Sequence, residues 1–525
     1  GIMALLLPRG LLAMAAVAAA MAAAADEGVG DGSCAAGSAC GAEPHYYWPG
    51  GRGRNELPGR SPYRGPKDLA KSLAWKWNHP LGQYAVVLPA APLIDDRKNI
   101  YLSTTEQVYS FDSDGNTRWV YQSESRMPDS GAISNGLFYF VTQTGFLHAL
   151  GMSDGLLRWK KQLAPEGIGG DIATMGVYEG RVITSVGMSQ HGGSAYVLCA
   201  NATDGEELWK VKPESGLWNF LPIFPGDGKM VFQTENGDPF VVRVSDGTVL
   251  WTKKREGLGW TDGGTMVGPN GVAYVVHAYG HIVGGGLRPE QQSDITAYRV
   301  EDGKQLWRHS YPTPPNSWPA VAPMGNEKRQ TVLFPYGGQA FTSPVQIAWG
   351  RLGQWGGLGM GESAYLFANW LYLKLGSWGP LVYKWLLWIP NSVPMGPWPG
   401  GVTAFEPDSG RVRWEVKLPD WHMPEVKGDD VGLAPRTGFV LQGKLFGQSV
   451  CIPNPWSSPT VDADGTAYLG FQDGFLYAMR ERGGKGEISD RLETTAGFSH
   501  PGAAMAPGML AIANCDTLYV FKYDE

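Results

Sequence analysis

Between Asn99 and Tyr523 apolar and polar residues alternate in short runs, broken by turns rich in aspartate and glycine. Alternation with a period of two puts one set of side chains on each face of a pleated strand, so the pattern predicts strands. Six stretches repeat a longer unit: Tyr109–Trp119, His148–Trp159, Val197–Trp209, Phe240–Trp251, Thr296–Trp307 and Thr403–Trp414. Each reads as an alternating strand, an Asp-Gly or Ser-Gly turn and a second strand carrying tryptophan, with Gly four residues ahead of Trp. Glycine accepts the positive φ of a tight hairpin, so each unit predicts two antiparallel strands. The recurring tryptophan is placed to pack between neighbouring sheets.

The first five of these tryptophans are 40, 50, 42 and 56 residues apart, and the next follows after 107. A spacing of roughly 40–50 residues is that of a four-stranded propeller blade. The long gap is then one blade plus an insert. The upstream halves of the blades are also legible, as in Asn99–Phe111 and Gly136–Leu150. Gly465–Met479 reads as a seventh blade whose tryptophan strand has degenerated, and Gly508–Tyr523 as the first strands of another. Leu73–Pro80, with Trp77, resembles a tryptophan strand with no hairpin before it. Joining it to the last blade closes a ring and leaves no sheet edge open. The prediction is an eight-bladed, all-β propeller of four-stranded antiparallel blades spanning 45–525. Its structural tryptophans are Trp77, Trp119, Trp159, Trp209, Trp251, Trp307 and Trp414.

Composition agrees with many short strands and tight turns: 73 Gly, 38 Pro and 12% aromatic residues, with only 18% charged. A net charge of −7 argues against a general nucleic-acid binder, which needs a basic face. Residues 1–25 read as a secretory signal peptide: Arg9, the apolar run Leu11–Ala25, and a small-residue Ala23-Ala24-Ala25 end. The Gly/Ala/Ser-rich stretch 26–44 reads as a disordered lead. Export allows disulfides: Cys34 can pair with Cys40, and Cys451 can also pair with Cys515, whereas Cys199 lies in a strand-like run as a buried thiol. The expected location is the secretory pathway, the extracellular space, the periplasm or an organelle lumen, with association to a membrane also open.

The D-G-x-x-x-W units resemble the quinoprotein (PQQ-like) propeller repeat. The lead-in Gly59–Trp77, with Trp48-Pro49 upstream, is similar to the start of many PQQ-binding-like propellers. The resemblance covers about 45–525 apart from the insert. It implies the propeller fold and two kinds of function: calcium- and PQQ-dependent alcohol dehydrogenases, and cofactor-free propellers such as the BamB-type assembly lipoproteins. In the enzymes the quinone lies between a tryptophan floor and a disulfide of adjacent cysteines. Calcium is bound there by carboxylate and amide oxygens, and an aspartate acts as base. No two cysteines are adjacent in this chain. Trp218, Trp260 and Trp318 are available as a floor and Asp262 as a base, but nothing in their spacing singles them out. The expectation is therefore a binding scaffold with no cofactor and no catalytic residue, with PQQ and calcium as the alternative.

Other motifs are weaker. Asp112–Asn116 and Asp462–Gly465 look like the start of calcium loops, but Ser123 stands where an EF-hand needs Glu, and hairpin turns explain both. His277 and His281 have zinc-ligand spacing only on a helix, and their surroundings read as a strand. Asn201-Ala202-Thr203 is an N-glycosylation sequon in a blade hairpin. The insert, 338–400, is apolar and expected to be mostly helical, with Glu362, Lys374 and Lys384 its only charges from Gly353 to Gly400. Neither of its apolar runs reaches the roughly 20 residues that a bilayer requires. Trp370, Tyr372, Trp378, Tyr383, Trp385 and Trp388 are the side chains expected to contact a protein partner or membrane surface.

Overall fold

The computed structural model describes residues 45–524 apart from 128–129, 166–173, 190–192, 256–260, 262, 279–292, 312–316, 339–398, 422–425, 430, 433–435, 437–450, 452–454 and 499. Alternating strands and positive-φ turns produce eight antiparallel sheets, each strand except the N-terminal one paired with a neighbour in sequence. Blades 1 to 7 span 93–122, 132–162, 176–211, 223–252, 266–311, 320–417 and 460–493. Blade 4 keeps three strands, and its inner strand is reduced to the single bridge Ile223↔Val231. Blade 8 takes three strands from 504–522 and its outer one from Leu73–Asn78, which pairs with Thr517–Lys522. The eight-bladed closure is as the repeats predict. The signal peptide, the lead, Cys34, Cys40 and the insert lie outside the described residues.

What joins one blade to the next is the indole of its outer strand, laid on the glycine of the following blade's Asp-Gly turn. A Cβ added at Gly155, where φ is +70°, would lie 2.6 Å from the Trp119 ring. One added at Gly410, with φ of +66°, would lie 2.5 Å from Trp307. Glycine is thus required both by the backbone and by the ring above it. Trp159, Trp209 and Trp251 dock in the same way on Gly205, Gly247 and Gly303, while Trp414 meets Gly486, which lies in the strand Lys485–Glu493 and has no positive φ. The indole N–H then bonds into the same turn: Trp119 to the Met152 carbonyl at 3.0 Å, and Trp209, Trp251 and Trp307 to Val244, Val300 and Pro407 at 2.7 Å. Trp414 donates to the Glu481 carboxylate at 3.0 Å, while the buried Nε1 of Trp159 has no acceptor.

At the N-terminal strand the docking residue is Trp75, which corrects the assignment of Trp77. Trp75 meets Gly115 and donates to the Ser113 carbonyl at 3.0 Å. Trp77 packs instead on Tyr109 and Phe111, at 4.7 and 5.2 Å between ring centroids. Two tryptophans two residues apart share a face, so alternation cannot choose between them. The register shift beside Trp75 does, because each docking tryptophan sits next to such a shift.

Between blades 7 and 8 there is no such hairpin to receive a ring, because the outer strand of blade 8 enters from the N-terminal side. The register places Asp490 where the other blades have tryptophan. Its carboxylate accepts the Leu69 amide at 2.7 Å, at the start of the helical turn Leu69–Ser72 that leads into the closing strand. Cys451 and Cys515 form a disulfide, with Cα atoms 5.7 Å apart. Cys199 is a buried free thiol that burial pushes up to about 12, leaving it unreactive.

Gly155→Ala is expected to lower unfolding stability by about 2–3 kcal/mol, since the methyl meets both positive-φ strain and the Trp119 ring. Asp490→Ala should lower the urea midpoint by a smaller but measurable amount, and Trp75→Ala more than Trp77→Ala. Equal effects of the two tryptophans would contradict the docking assignment.

Candidate axial site

Antiparallel order within each blade puts the connections of the propeller into two sets. One set is the short Asp-Gly hairpins. The other holds the long connections, including 339–398 between Arg329–Gly337 and Gly400–Phe405, and every passage from an outer strand to the next inner one. The N-terminal stretch lies against the inner strands and crosses between opposite sides of the ring. Trp48 exchanges backbone hydrogen bonds with Ile94 of blade 1, and the Pro49 carbonyl accepts from Ile133 of blade 2 at 2.8 Å. Asn55 reaches the Val177 carbonyl of blade 3 at 2.9 Å. The chain then turns, and Ser61 and Gly59 pair with Val461 of blade 7.

Arg52 stands at the turn and is 4% exposed. Its Nη2 donates to the carbonyl of Pro459 at 2.7 Å and, at 3.5 Å, to that of Pro319, just before the inner strands of blades 7 and 6. A Cβ at Gly59 would lie 2.3 Å from Nη2, so glycine there is what admits the guanidinium. Nε and Nη1 are buried without a partner. Burial lowers the group to about 9, which still leaves it a cation at neutral pH. Around it Trp318 is fully buried with its ring 5.3 Å from that of His500, and the Ser458 amide donates to the His500 carbonyl at 2.8 Å. Burial pushes His500 down to about 3, so its imidazole is neutral.

A calcium-bound quinone needs carboxylate and amide oxygens about the metal and an open indole face beneath the ring. Among the described residues no group of three or more His, Cys, Asp or Glu is placed to hold a metal. Trp318 is covered on all sides, and a Cβ at Gly264 would already lie 2.4 Å from it. Trp218 is half-buried on the connection between blades 3 and 4. Trp260, Asp262 and His281 lie outside the described residues. The groups described around the Arg52 guanidinium are backbone carbonyls with no carboxylate in an ion pair, and they do not fit that group.

A second polar cluster sits in blade 5. Asp294 is fully buried and accepts both from Arg255 Nη1, at 2.8 and 2.9 Å, and from Arg308 at 2.7 Å. Thr296 donates to it at 2.7 Å. Burial pushes its carboxyl up, but His277, Arg255 and Thr296 outweigh that and hold it far below the usual range. His277 is a strand residue, kept neutral by burial above all. Glu235, in the turn between the first two long strands of blade 4, is pushed up to about 7 by burial. Asn201 ends the strand Tyr196–Asn201, and its side-chain oxygen accepts the Thr203 amide at 2.9 Å. Trp370, Tyr372, Trp378, Tyr383, Trp385 and Trp388 fall outside the described residues. Sequence reasoning missed Arg52 because no repeat marks it. Arg255 and Arg308 flank tryptophan strands as ordinary surface cations do, and only the fold brings them to one carboxylate.

The family model described as outer membrane protein assembly factor BamB matches residues 74–187 and 166–321. No curated protein sequence matches. Among solved structures the chain is similar to BamB from Moraxella catarrhalis at 13% identity, over 86% of this chain and 99% of that one, with a TM-score of 0.50. It is also similar to a quinohemoprotein alcohol dehydrogenase from Comamonas testosteroni at 14% identity, over 90% and 80%, with a TM-score of 0.54. A europium-containing methanol dehydrogenase aligns at 12% identity over 91% and 98%, with a TM-score of 0.56. At these identities the likeness is one of fold. Among the described residues no helix is long and apolar enough to cross a membrane.

The axial histidine gives the protein an acid-sensitive step. Its folded pKa lies below the unfolded value, so between about pH 6.5 and 3 the unfolded chain binds the extra proton. Stability contributed by neutral His500 is complete above pH 6.5 and is lost as pH falls, at up to about 1.4 kcal/mol per unit. His500→Gln is expected to flatten the dependence of the urea midpoint on pH between 6.5 and 4; an unchanged slope would contradict the burial of a neutral ring.

Proposed function

This chain is a propeller of the PQQ-like repeat family, and we propose that it acts as an exported, non-catalytic binding scaffold rather than as a quinone enzyme. The observation that carries the reading is the N-terminal crossing with Arg52 at its turn. It runs along the inner strands of blades 1 to 3 and 7 and brings a buried cation there, where a quinone site would need carboxylates about a metal. Binding is assigned to the connections away from the Asp-Gly hairpins and above all to 339–398, whose aromatic residues suit a protein partner or a membrane surface. The name of the matching family model, an outer membrane assembly factor, points the same way and favours a periplasmic setting. A PQQ- and calcium-dependent oxidoreductase is the reading that the experiment opposes to it.

Titrating the mature protein with PQQ and calcium, followed by absorbance and calorimetry and by a dye-linked alcohol oxidation assay, separates the two. No saturable binding at high micromolar quinone and no turnover are expected; stoichiometric binding with turnover would overturn the scaffold reading. Replacing 353–398 by a short Gly/Ser linker is expected to leave the unfolding midpoint in place. A large drop would put that segment in the propeller's own core.

A further inference from the structure

At the joint between blades 6 and 7, on the face away from the Asp-Gly hairpins, lies a cavity of about 440 Å³. That volume is in the range of small-molecule sites, roughly 300–1,000 Å³. Three stretches of chain build it. The passage that leaves the outer strand of blade 6, Val412–Lys417, supplies Asp420, Trp421 and Lys427. The turn into the strand Phe475–Arg482 supplies Asp473, Phe475 and Tyr477, and the end of the outer strand Lys485–Glu493 supplies Arg491 and Glu493. Trp421 is half-buried: it packs on the cluster of Val426, Cys451, Ala496 and Cys515 and lines the cavity with the rest of its surface.

The charges on the walls are largely engaged with the protein itself. Lys427 Nζ lies 2.6 Å from a Glu493 carboxylate oxygen and 5.6 Å from the centre of the Phe475 ring. Asp473 accepts the Phe475 amide at 2.9 Å and the Tyr477 hydroxyl at 2.6 Å. Burial pushes its carboxyl up, against the pull of those bonds and of Lys427 and Arg491. Arg491 lies over the Phe475 ring at 5.2 Å and makes no ion pair among the described residues. Asp420 is exposed at the mouth. With both carboxylates and cations on its walls, the cavity sets like charge against an ionic ligand of either sign. A wholly apolar ligand would strip these groups of water and give them no partner. An uncharged ligand that carries many hydroxyls and one apolar face meets neither cost. Each hydroxyl can donate to a carboxylate, which only accepts, and accept from a guanidinium, which only donates. The C–H face of a sugar ring suits the negative π face of an indole.

We propose that this cavity binds a neutral oligosaccharide, one ring stacked on Trp421 and its hydroxyls bonded by Asp420, Asp473 and Arg491. Binding alone is assigned to it, with no reaction. The site lies at the rim, between outer strands, and away from the inner strands where a quinone would sit. It rests neither on the scaffold reading nor on residues 339–398, so each stands or fails by its own test.

An array of neutral oligosaccharides derived from starch, cellulose and chitin, probed with the mature protein and followed by calorimetry on the strongest binder, tests it. At least one is expected to bind saturably, with an affinity that stays level as sodium chloride is raised, because no net charge is paired. Trp421→Ala is expected to weaken binding about tenfold. Asp420→Ala, at an exposed side chain that the fold does not need, should weaken it several-fold, and it decides the matter if Trp421→Ala does not fold. No binding across the array, an affinity that falls steeply with salt, or binding that survives both substitutions would each overturn the site.

Discussion

Seven of the eight joints of this ring lean on one contact, an indole laid against a glycine where a Cβ would meet the ring. A propeller blade is a small sheet with one outer strand and little core of its own, so the ring is only as firm as the joints between blades. The joint here combines the area of a tryptophan ring with one directed N–H bond into the neighbouring turn. The same turn glycine sets the hairpin and leaves the space for the incoming ring. Where blade 8 has no hairpin the contact is replaced by another with the same purpose, the Asp490 carboxylate on the Leu69 amide. The ring is thus closed by a main-chain pairing, Leu73–Asn78 on Thr517–Lys522, and by a single polar latch.

Closing the ring through its N-terminal strand has a consequence for the axis. The chain must approach the closing strand from somewhere, and it does so along the inner strands of blades 1 to 3 and then of blade 7. That route carries Arg52 inward, where two carbonyls hold Nη2 and no described residue bonds Nε or Nη1. Ring closure and the character of the axis are therefore one feature. A chain that entered elsewhere would leave the centre free for a ligand.

The repeats were legible because they obey a strict local rule. Alternation gives strands, Asp-Gly gives hairpins, and the fixed step from Gly to Trp gives the joint, so blade number and closure could be read directly. The choice between Trp75 and Trp77 could not, since both lie on one face and only the register with Val520 and Leu518 separates them. Asp490 looked like any exposed acid on a degenerate strand. Arg52 sits in a turn with no periodicity, and its isolation arises from residues more than two hundred positions away. Likewise Cys451 and Cys515 were one of two possible pairs until the fold brought them together. Local chemistry was visible in the sequence; the site built from distant loop residues was not.

The central claim, that the N-terminal segment is a structural part of the propeller and fills its axis, is tested most directly by hydrogen–deuterium exchange over residues 46–63. The amides of Trp48, Gly59 and Ser61, bonded to Ile94, to the Arg52 carbonyl and to Val461, are predicted to exchange as slowly as those of the inner strands. Exchange of this segment at the rate of an exposed loop, with the blades still protected, would contradict the account and leave the axis open.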